Sequence, residues 1–295
     1  MKIGIIPNTS KKDIAKIIIK IIKSLEKYQF EYFISASINK ITDEIYPMLD
    51  RQFVVADEEL LKNVDIIFSV GGDGTLLATA YKSRNSRTPI CGINIGKLGF
   101  LAEYYVENLD EFLTELKRGE YSIGYRMALD GICLNKERQP LYAVNDIVID
   151  KGGWAKMIEL TVKVDEDYVA TFSADGLIIA TPTGSTGYSL STGGPIVSPN
   201  TDVITLSPIA PHSLTMRPLV LSGNQRIIVT VKSLHTSVQV SCDGQRVEYY
   251  DSNFTLEIKK STKCVKLVHT KSTSYFNVLR QKFFWGLDVR NSNGF

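Results

Sequence analysis

This 295-residue sequence has few cysteines and histidines and almost no net charge, and each of these features excludes a class of protein. The four cysteines stand far apart without a CxxC pair, and the three histidines complete no zinc-binding spacing. Few, scattered cysteines are typical of a reducing compartment. The formal net charge is +2, whereas a dedicated nucleic-acid binder usually carries a larger, clustered basic excess. The composition therefore argues against a zinc module and a nucleic-acid partner.

Long hydrophobic runs are also missing, since no apolar stretch reaches the roughly 18 residues that a membrane-spanning helix requires. The apolar start at residues 1–7 is too short for a signal peptide. We therefore expect a cytoplasmic protein without a membrane partner. What is present is ordinary: 44% hydrophobic and 22% charged residues, in a chain long enough for one large or two ordinary domains.

The first third of the sequence alternates short apolar runs with helical periodicity. Lys2–Pro7 predicts a buried strand, and residues 10–28 predict a helix that begins with a capping box at Ser10 and Asp13. One face of this helix is apolar, with Ile14, Ile17, Ile18, Ile21, Ile22 and Leu25. Lysines on its other face would also suit a membrane surface, but the strand directly before it favours a helix packed on a sheet.

Further strands are predicted at residues 52–56, 65–70 and 89–95, with a short helix beginning near Gly74 and another at residues 107–117. Buried strands that alternate with helices indicate a parallel, doubly wound α/β sheet.

The sequence pattern changes near residue 125. From there, turn residues separate short predicted strands, and long helical patterns are missing. We predict an all-β, sandwich-like domain with strands at residues 129–134, 142–149, 158–164, 168–172, 176–180, 226–231, 237–241, 254–259 and 265–269. A short helix is possible around residues 187–193, and residues 275–288 have helical spacing. The expected domains are residues 1–125 with 271–295, where the chain end returns to the α/β domain, and residues 126–270.

The sharpest feature is Gly71-Gly72-Asp73-Gly74, which joins a buried strand to a helix. Glycines at such a turn let a ligand approach the backbone, and the free amides at the helix start favour phosphate oxygens. Asp73 would repel phosphate unless it binds a metal or accepts a proton. The alternative is a tight turn in which Asp73 caps the helix. The turn is neither a Walker A loop nor a complete GxGxxG fingerprint.

Three other polar or glycine-rich features accompany this turn. A second glycine turn covers residues 92–101, and a hydroxyl- and glycine-rich run covers residues 181–195. Asn145 and Asp146 interrupt an apolar strand, and one of two adjacent strand residues faces inward, where it needs a partner. These features are compatible with ribose, phosphate or adenine binding, or with a solvated loop and a polar pair inside the sheet core.

Taken together, these motifs resemble those of the NAD kinase family, from Ile3 to at least Gln245. Its GGDG motif stands at residues 71–74, its Asn-Glu/Asp motif at Asn145-Asp146, and its long glycine- and hydroxyl-rich motif at residues 181–195. Residues 207–221 and 243–245 are similar to that family as well. GGDG alone is shared with diacylglycerol and sphingosine kinases, whereas all three motifs in this order are highly specific.

The resemblance implies transfer of the γ-phosphoryl group of ATP, or in some members of polyphosphate, to the 2′-hydroxyl of the adenosine ribose of NAD. It also implies an α/β domain followed by a β-rich domain, a divalent metal ion (Mg²⁺), and a homodimer or homotetramer. The metal would bridge ATP oxygens rather than occupy a full protein cage, so no residue is assigned as a metal ligand.

The same resemblance assigns functional residues. Asp73 is the candidate general base, with Gly74 beside it. Asn145 and Asp146 hold NAD, and Asp175 contacts it, from this subunit or a neighbouring one. The hydroxyl-rich run lines the adenine and ribose pockets through Thr186, Gly187, Tyr188, Ser189, Leu190 and Ser191, and further contacts are assigned to Lys156, Ala210 and Gln245.

Three other functions remain open from the sequence. A lipid kinase shares the GGDGT turn but not the middle motifs, and a non-catalytic dinucleotide sensor would have no need of Asp73. A hydride-transferring dehydrogenase lacks its complete fingerprint. Phosphorylation assays with NAD and with diacylglycerol, and NAD binding without NADP formation, distinguish them.

Overall fold

A computed structural model describes residues 1–40, 53–96, 99–271 and 274–285. The chain divides into two compact units. The first comprises the described residues of Met1–Gly124 and Lys266–Phe295, and the second is Tyr125–Val265. Gln52, the Lys97-Leu98 pair of the second glycine turn, and positions 286–288 of the predicted terminal helix lie outside the described residues.

The described residues form twenty strands, numbered here in chain order. They are β1 Lys2–Pro7, β2 Glu31–Ser35, β3 Val54–Val55, β4 Ile66–Gly71, β5 Ile90–Asn94, β6 Tyr104–Tyr105, β7 Tyr121–Arg126, β8 Leu129–Cys133, β9 Leu141–Ala143, β10 Asp146–Asp150, β11 Ile158–Val164, β12 Asp167–Ala174, β13 Gly176–Ala180, β14 Val203–Ile209, β15 Leu219–Ser222, β16 Ile227–Lys232, β17 Ser237–Cys242, β18 Arg246–Asp251, β19 Phe254–Lys260 and β20 Val265–Thr270.

The helices are fewer than the strands in the part of the chain that the structure describes. They are α1 Ile14–Lys27, α2 Asp57–Asn63, α3 Asp73–Lys82, α4 Leu109–Lys117, α5 Tyr188–Ser191 and α6 Tyr275–Phe283, with 3₁₀ turns at Ala36–Lys40, Val106–Asn108 and Thr183–Thr186. None of the helices within these described ranges is long and apolar enough to cross a membrane.

The sheet of the first unit has the strand order β3-β2-β1-β4-β5-β20-β7, with β6 paired to β5. The pairs β1–β2, β1–β4 and β4–β5 are parallel. Helices α1 and α4 share one apolar core with alternate residues of the central strands, such as Ile5 and Phe68. Leu60 of α2 and Leu76 of α3 approach Gly4 and Gly92 on the opposite face. The predicted doubly wound arrangement is therefore confirmed.

The start of α1 differs from the prediction. The helix begins at Ile14, and its N-cap residue Asp13 has a φ of 60° without a side-chain capping bond. The carboxylate of Asp13 instead contacts Lys16 at 3.2 Å. The capping box expected at Ser10 and Asp13 is wrong, because the helix begins only after Asp13 and the backbone N–H of Ser10 donates to Asn8 Oδ1 at 3.1 Å.

The second unit consists of two antiparallel sheets. Their strand orders are β15-β14-β13-β10-β17-β18 and β12-β11-β16-β19-β8-β9. Both sheets contribute to one core, which includes Ile147, Ile179, Val229, Val240 and Leu256. Since strand residues alternate between faces, these apolar positions leave the opposite face of each sheet for polar side chains or a ligand. The expected β-sandwich is present.

Two strand predictions need correction. The predicted strand at residues 142–149 is broken between β9 and β10, at Val144 and Asn145, and its two halves belong to different sheets. The strand predicted at residues 265–269 lies in the first sheet, where Leu267 pairs with Ile90, and not in the β-rich unit. Alternation of apolar residues indicates a strand but does not encode the sheet that it joins.

The position of β20 yields a prediction about independent folding. A fragment that ends at Val265 and begins at Tyr125 contains every strand of both antiparallel sheets described here. We expect it to fold alone, and we expect extension to Thr270 to add no stability, because β20 pairs in the other sheet. Urea unfolding of the two fragments measures this, and a clear gain from the five added residues would contradict the assignment.

Candidate active site

The glycine turn lies at the ends of two neighbouring parallel strands, β1 and β4. The helices that follow these strands pack on opposite faces of the sheet. Strand β1 leads into α1, strand β4 leads through the turn into α3, and the ends of these strands meet. Asn8, just after β1, donates its backbone N–H to the Val70 carbonyl at 2.9 Å and its side-chain Nδ2 to Thr75 Oγ1 at 2.9 Å. Such a topological switch point is where open α/β sheets bind ligands.

The carboxylate of Asp73 is the centre of this turn. Its Oδ2 accepts the backbone N–H of Phe100 at 2.8 Å, and its Oδ1 accepts those of Leu101 and Ala102 at 2.9 and 3.0 Å. A carboxylate offers about four lone-pair positions, so about one remains, on Oδ2. Gly99 has to be glycine, because a Cβ there would overlap the Asp73 carboxylate.

These hydrogen bonds argue against the helix-capping role that the sequence offered as an alternative for Asp73. Helix α3 begins at Asp73 with Gly72 as its N-cap residue, and Asp73 makes no capping bond to it. The carboxylate instead holds the segment that follows β5, and Gly74 lies next to it in the first turn of α3. Gly71 is required as well, because a Cβ there would overlap the side chain of Thr75.

The chain end packs on the segment that Asp73 holds. The ring of Phe100 lies 6.4 Å from that of Tyr275 and 5.8 Å from that of Phe283, measured between ring centroids. The ammonium group of Lys282 lies 4.4 Å from the centroid of the Phe100 ring. Helix α6 therefore packs against this segment through the ring of Phe100.

The second unit contains a pocket of about 320 Å³ at the break between β9 and β10. It lies on the face of the β10–β17–β18 ladder that is turned away from the sandwich core, because Ile147 and Ile149 occupy the core face. The residues that line it are Asn145, Asp146, Val148, Tyr188, Gln239, Ser241, Asp243, Gly244 and Val247.

Asp146 is the most perturbed acid of this pocket. It is 4% exposed, and burial together with the nearby charge of Asp243 raises its pKa from 3.8 to about 7. Both causes disfavour the ionised form. Asp146 therefore exchanges a proton near neutral pH, which is unusual for a carboxyl group and typical of functional sites.

Asn145 presents a polar atom without a partner. Its side-chain Oδ1 is buried and accepts no hydrogen bond from the described residues, and the same holds for Oγ1 of Thr183. Gly184 has to be glycine, because a Cβ there would overlap the Asn145 carbonyl, and a Cβ at Gly187 would lie 3.7 Å from the Asn145 side-chain nitrogen. Buried polar atoms are normally paired, so this oxygen is available to a ligand.

Of the other predicted residues, Tyr188 lines the pocket, and 45% of it is exposed. Burial, Asp150 and Asp175 raise the pKa of its phenol. Asp175 itself forms an ion pair with Lys151 at 2.7 Å. Tyr188 thus lies within the electrostatic reach of Asp175.

Ser189 is fully buried and hydrogen-bonded to Ser207 at 2.8 Å, so its hydroxyl serves the local fold. The Thr186 hydroxyl donates to the Thr183 carbonyl at 3.3 Å, Leu190 is half-buried, and Ser191 is exposed.

Of the predicted contacts, Asn145, Asp146 and Tyr188 line this pocket. The others lie outside its lining, namely Gly74, Lys156, Asp175, Thr186, Gly187, Ser189, Leu190, Ser191, Ala210 and Gln245. Lys156 is exposed, and its carbonyl lies 3.0 Å from Nε2 of His235. Ala210 follows β14 with a φ of 41°, and Gln245 is exposed beside the lining residue Gly244.

The predicted site residues did not include the rest of the lining, namely Val148, Gln239, Ser241, Asp243, Gly244 and Val247. Strand pairing places Val148 opposite Ser241 and Asp150 opposite Gln239, so they face the pocket by period-two alternation once the register is known. Asp243 carried a signal, because it stands two residues before Gln245 in a motif of the resembled family.

Within the ranges that the structure describes, no group of three or more histidine, cysteine or acidic side chains could hold a metal ion. The donor set of the glycine turn is one carboxylate, that of Asp73. Mg²⁺ is commonly bound by one or two carboxylates together with substrate phosphates and water, so this donor set fits a metal that arrives with a nucleotide.

Comparison with protein-family models gives two matches. Residues 3–121 match the ATP-NAD kinase N-terminal domain, and residues 144–270 match the ATP-NAD kinase C-terminal domain. An NAD kinase from Prosthecochloris aestuarii is 36% identical over 287 residues, which are 97% of this chain and 98% of that protein. An NAD kinase from Geotalea daltonii is 40% identical over 235 residues, 78% of this chain and 81% of its own.

Two solved structures are similar in fold. Yeast NADH kinase complexed with NADH has a TM-score of 0.86 at 22% identity, over 99% of this chain and 90% of that one. An NAD kinase from Archaeoglobus fulgidus in complex with ATP has a TM-score of 0.73 at 28% identity, over 96% of this chain and 98% of that one.

The raised pKa of Asp146 predicts a pH-dependent stability. The folded protein holds this proton more tightly than the unfolded chain, so its contribution is complete below about pH 4 and is lost as the pH rises through about 7. The rise from 3.8 to about 7 corresponds to roughly 4 kcal/mol. We expect Asp146→Asn, which cannot ionise, to be more stable than the wild type at about pH 8.5 and to lose this advantage near pH 4.

Thermal unfolding across this pH range measures the difference. Asp150→Asn, at the far end of β10, is the matched control for loss of a carboxylate from the same strand. An advantage of Asp146→Asn that does not grow with pH would contradict the assignment.

Proposed function

Since this chain belongs to the NAD kinase family, we propose that it transfers the γ-phosphoryl group of ATP to the 2′-hydroxyl of the adenosine ribose of NAD, which forms NADP. The observation that carries the proposal is 36% identity to an NAD kinase over 287 residues, nearly the whole of both proteins. The likeness to proteins solved with NADH and with ATP supports the two substrates.

Asp73 is the proposed general base. A ribose hydroxyl is a poor nucleophile near neutral pH, and a carboxylate within about 3 Å that accepts its proton contributes roughly 10²–10⁴ in rate. The lone pair of Oδ2 that the backbone amides leave free is the proposed acceptor. The three amides fix the orientation of the carboxylate, so little freedom is lost when the hydroxyl binds.

Phosphoryl transfer otherwise depends on positioning and on neutralisation of charge. The amides of the Gly71–Gly74 turn are the proposed donors to the phosphates, because the start of α3 favours anions. Mg²⁺ would be held by the ATP oxygens with Asp73 as the nearest carboxylate of the chain, and when bound it would neutralise charge on the phosphates.

The pocket of the second unit is the proposed NAD-binding surface. The unpaired Oδ1 of Asn145 accepts a hydrogen bond, and the ionised carboxylate of Asp146 accepts hydrogen bonds from sugar hydroxyls. Tyr188 offers an aromatic face to a base or the nicotinamide ring. Asp175, Thr186, Gly187, Ser191, Lys156, Ala210 and Gln245 stay predictions as further contacts.

We also propose a cytoplasmic homodimer or homotetramer, in line with the sequence-based expectation. The decisive experiment for the activity is a coupled assay for NADP formation from NAD with ATP or polyphosphate as donor. NAD binding without NADP formation from either donor would favour the sensor, and phosphorylation of diacylglycerol instead of NAD would favour the lipid kinase.

We expect Asp73→Asn to bind NAD but to retain less than about a tenth of wild-type turnover, because the amide cannot accept the proton. Its Nδ2 replaces an oxygen that accepts an amide, so the variant also loses about 1–3 kcal/mol of stability. Turnover, NAD affinity and the melting temperature are measured together.

The matched control for this variant is Asp57→Asn. Asp57 is a carboxylate of α2 that accepts hydrogen bonds from Ser35 and from Lys82, away from the glycine turn. It is expected to keep full turnover. Asp73→Asn with more than about a tenth of normal turnover would rule out the general base.

We expect Asn145→Ala to raise the KM for NAD well beyond that for ATP. Its Oδ1 is buried without a partner, so its removal costs no internal hydrogen bond and leaves stability unchanged or improved. Steady-state kinetics with each substrate varied in turn measure this, and Asn224→Ala, an exposed asparagine of the same unit, is the control. An equal rise of both KM values would contradict the assignment.

A further inference from the structure

Asp243 lies in the tight turn that joins β17 to β18, and its side chain is completely buried. Its backbone has a φ of 56°, in the left-handed region that non-glycine residues rarely adopt. Its backbone N–H donates to the Asp146 carbonyl at 3.0 Å. Burial of a carboxylate in a strained turn is costly, so the contacts of this side chain indicate what it does.

The Asp243 carboxylate holds the break between β9 and β10. Its Oδ1 accepts the backbone N–H groups of both Val144 and Asn145, at 2.8 and 2.7 Å. The two amides belong to consecutive residues that lie outside both ladders. Without this acceptor, one or both would lose a buried hydrogen bond, and the turn that presents the Asn145 side chain would be free to change its conformation.

Arg246 completes this arrangement. One guanidinium nitrogen, Nη2, donates to Asp243 Oδ2 at 2.9 Å and to the Tyr142 carbonyl at 2.7 Å. The Asp243 carboxylate is buried, but both of its oxygens accept hydrogen bonds, and its cationic partner Arg246 is 25% exposed, so the cost of burying this charge is reduced. The guanidinium group therefore ties β9 to the turn between β17 and β18.

The charge of Asp243 also acts on Asp146. The titratable groups of the pocket lining are Asp146, Asp243 and Tyr188, and Arg246 faces Asp243 from β18. The negative charge of Asp243 contributes to the raised pKa of Asp146, after burial. One residue thus fixes the backbone beside Asn145 and influences whether Asp146 carries a proton.

We propose that Asp243, held by Arg246, is a positioning residue for NAD: its hydrogen bonds set the conformation of the Asn145 turn, and its negative charge lies beside Asp146. The proposal rests on the function proposed above, because Asn145 and Asp146 are its NAD contacts. Asp243 acts through these two residues and does not touch the reacting atoms.

Two substitutions in the full-length protein separate the two effects. Asp243→Asn keeps one oxygen for the two amides but removes the charge. It is expected to move the acid limb of the pH profile of kcat/KM for NAD to lower pH, because loss of a like charge lowers the pKa of Asp146. Asp243→Ala removes charge and acceptor, and is expected to raise the KM for NAD at least about tenfold while that for ATP changes less than about twofold.

The matched control is Asp165→Asn. Asp165 is also a turn aspartate with positive φ, 53°, and its Oδ1 accepts the backbone N–H of Arg226 at 3.0 Å, but it is exposed and remote from the pocket lining. It should change neither KM nor the pH profile. Hydrogen exchange at the amides of Val144 and Asn145 gives a readout that does not need activity, and faster exchange is expected in Asp243→Ala.

The outcomes separate this proposal from the proposed function. The role of the Asp243 charge would be overturned by the following result: Asp146→Asn abolishes the acid limb of kcat/KM for NAD, but Asp243→Asn leaves the midpoint of that limb within about 0.2 pH units of the wild-type value. A folded Asp243→Ala with unchanged KM for NAD and unchanged exchange would overturn the positioning role. If Asp243→Ala does not fold, the pH profile of Asp243→Asn decides. Absence of NADP formation by the wild type would instead refute the proposed function.

Discussion

Both turns of the candidate site depend on one kind of interaction, in which a single carboxylate accepts several backbone amides that no strand or helix pairs. Asp73 accepts three consecutive amides, those of residues 100–102, and Asp243 accepts two, those of Val144 and Asn145. Loops that leave a sheet expose such amides, and an unpaired buried N–H costs about as much as a lost hydrogen bond. The acids therefore give irregular backbone at a ligand site one defined conformation.

The glycines near these acids leave the space that the same arrangement requires. A Cβ at Gly99 would overlap the carboxylate of Asp73, and a Cβ at Gly184 would overlap the carbonyl of Asn145. Close approach of backbone to a carboxylate or a carbonyl leaves no room for a side chain. The glycine-rich character of the motifs thus reflects packing inside the turns as well as access for a phosphate.

The pocket of the second unit concentrates unfavourable groups. It combines a buried carboxyl with a raised pKa, Asp146, and an unpaired side-chain oxygen, that of Asn145, beside a second buried carboxylate. Each would destabilise the free protein, and a ligand that supplies hydrogen-bond donors relieves them. Departures from the rules of stable packing are expected at functional sites, and in this unit they coincide with the residues that the family motifs mark.

Periodicity and turn chemistry predicted the strands of the buried cores, such as Ile158–Val164 and Gly176–Ala180, because their patterns are strong and local. The same reasoning missed β2, β6, β7, α2, β14, β15 and β18, most of which are short or exposed, while β14 contains Pro208. The interrupted strand pattern marked Asn145 and Asp146, and the family resemblance added Tyr188. Neither predicted Gln239 or Ser241, whose place in the pocket follows from strand pairing.

The amino-acid sequence by itself determined the family, the succession of an α/β and a β-rich region, and the identity of Asp73 and Asn145-Asp146 as the residues of interest, since motifs and periodicity are properties of neighbouring residues. The tertiary structure decided that β20 joins the first sheet, that Asp73 binds the amides of residues 100–102, and that Asp243 stands beside Asp146. These pairings join residues that are at least 27 positions apart in the sequence, and no local pattern records which distant amide or charge a side chain will meet.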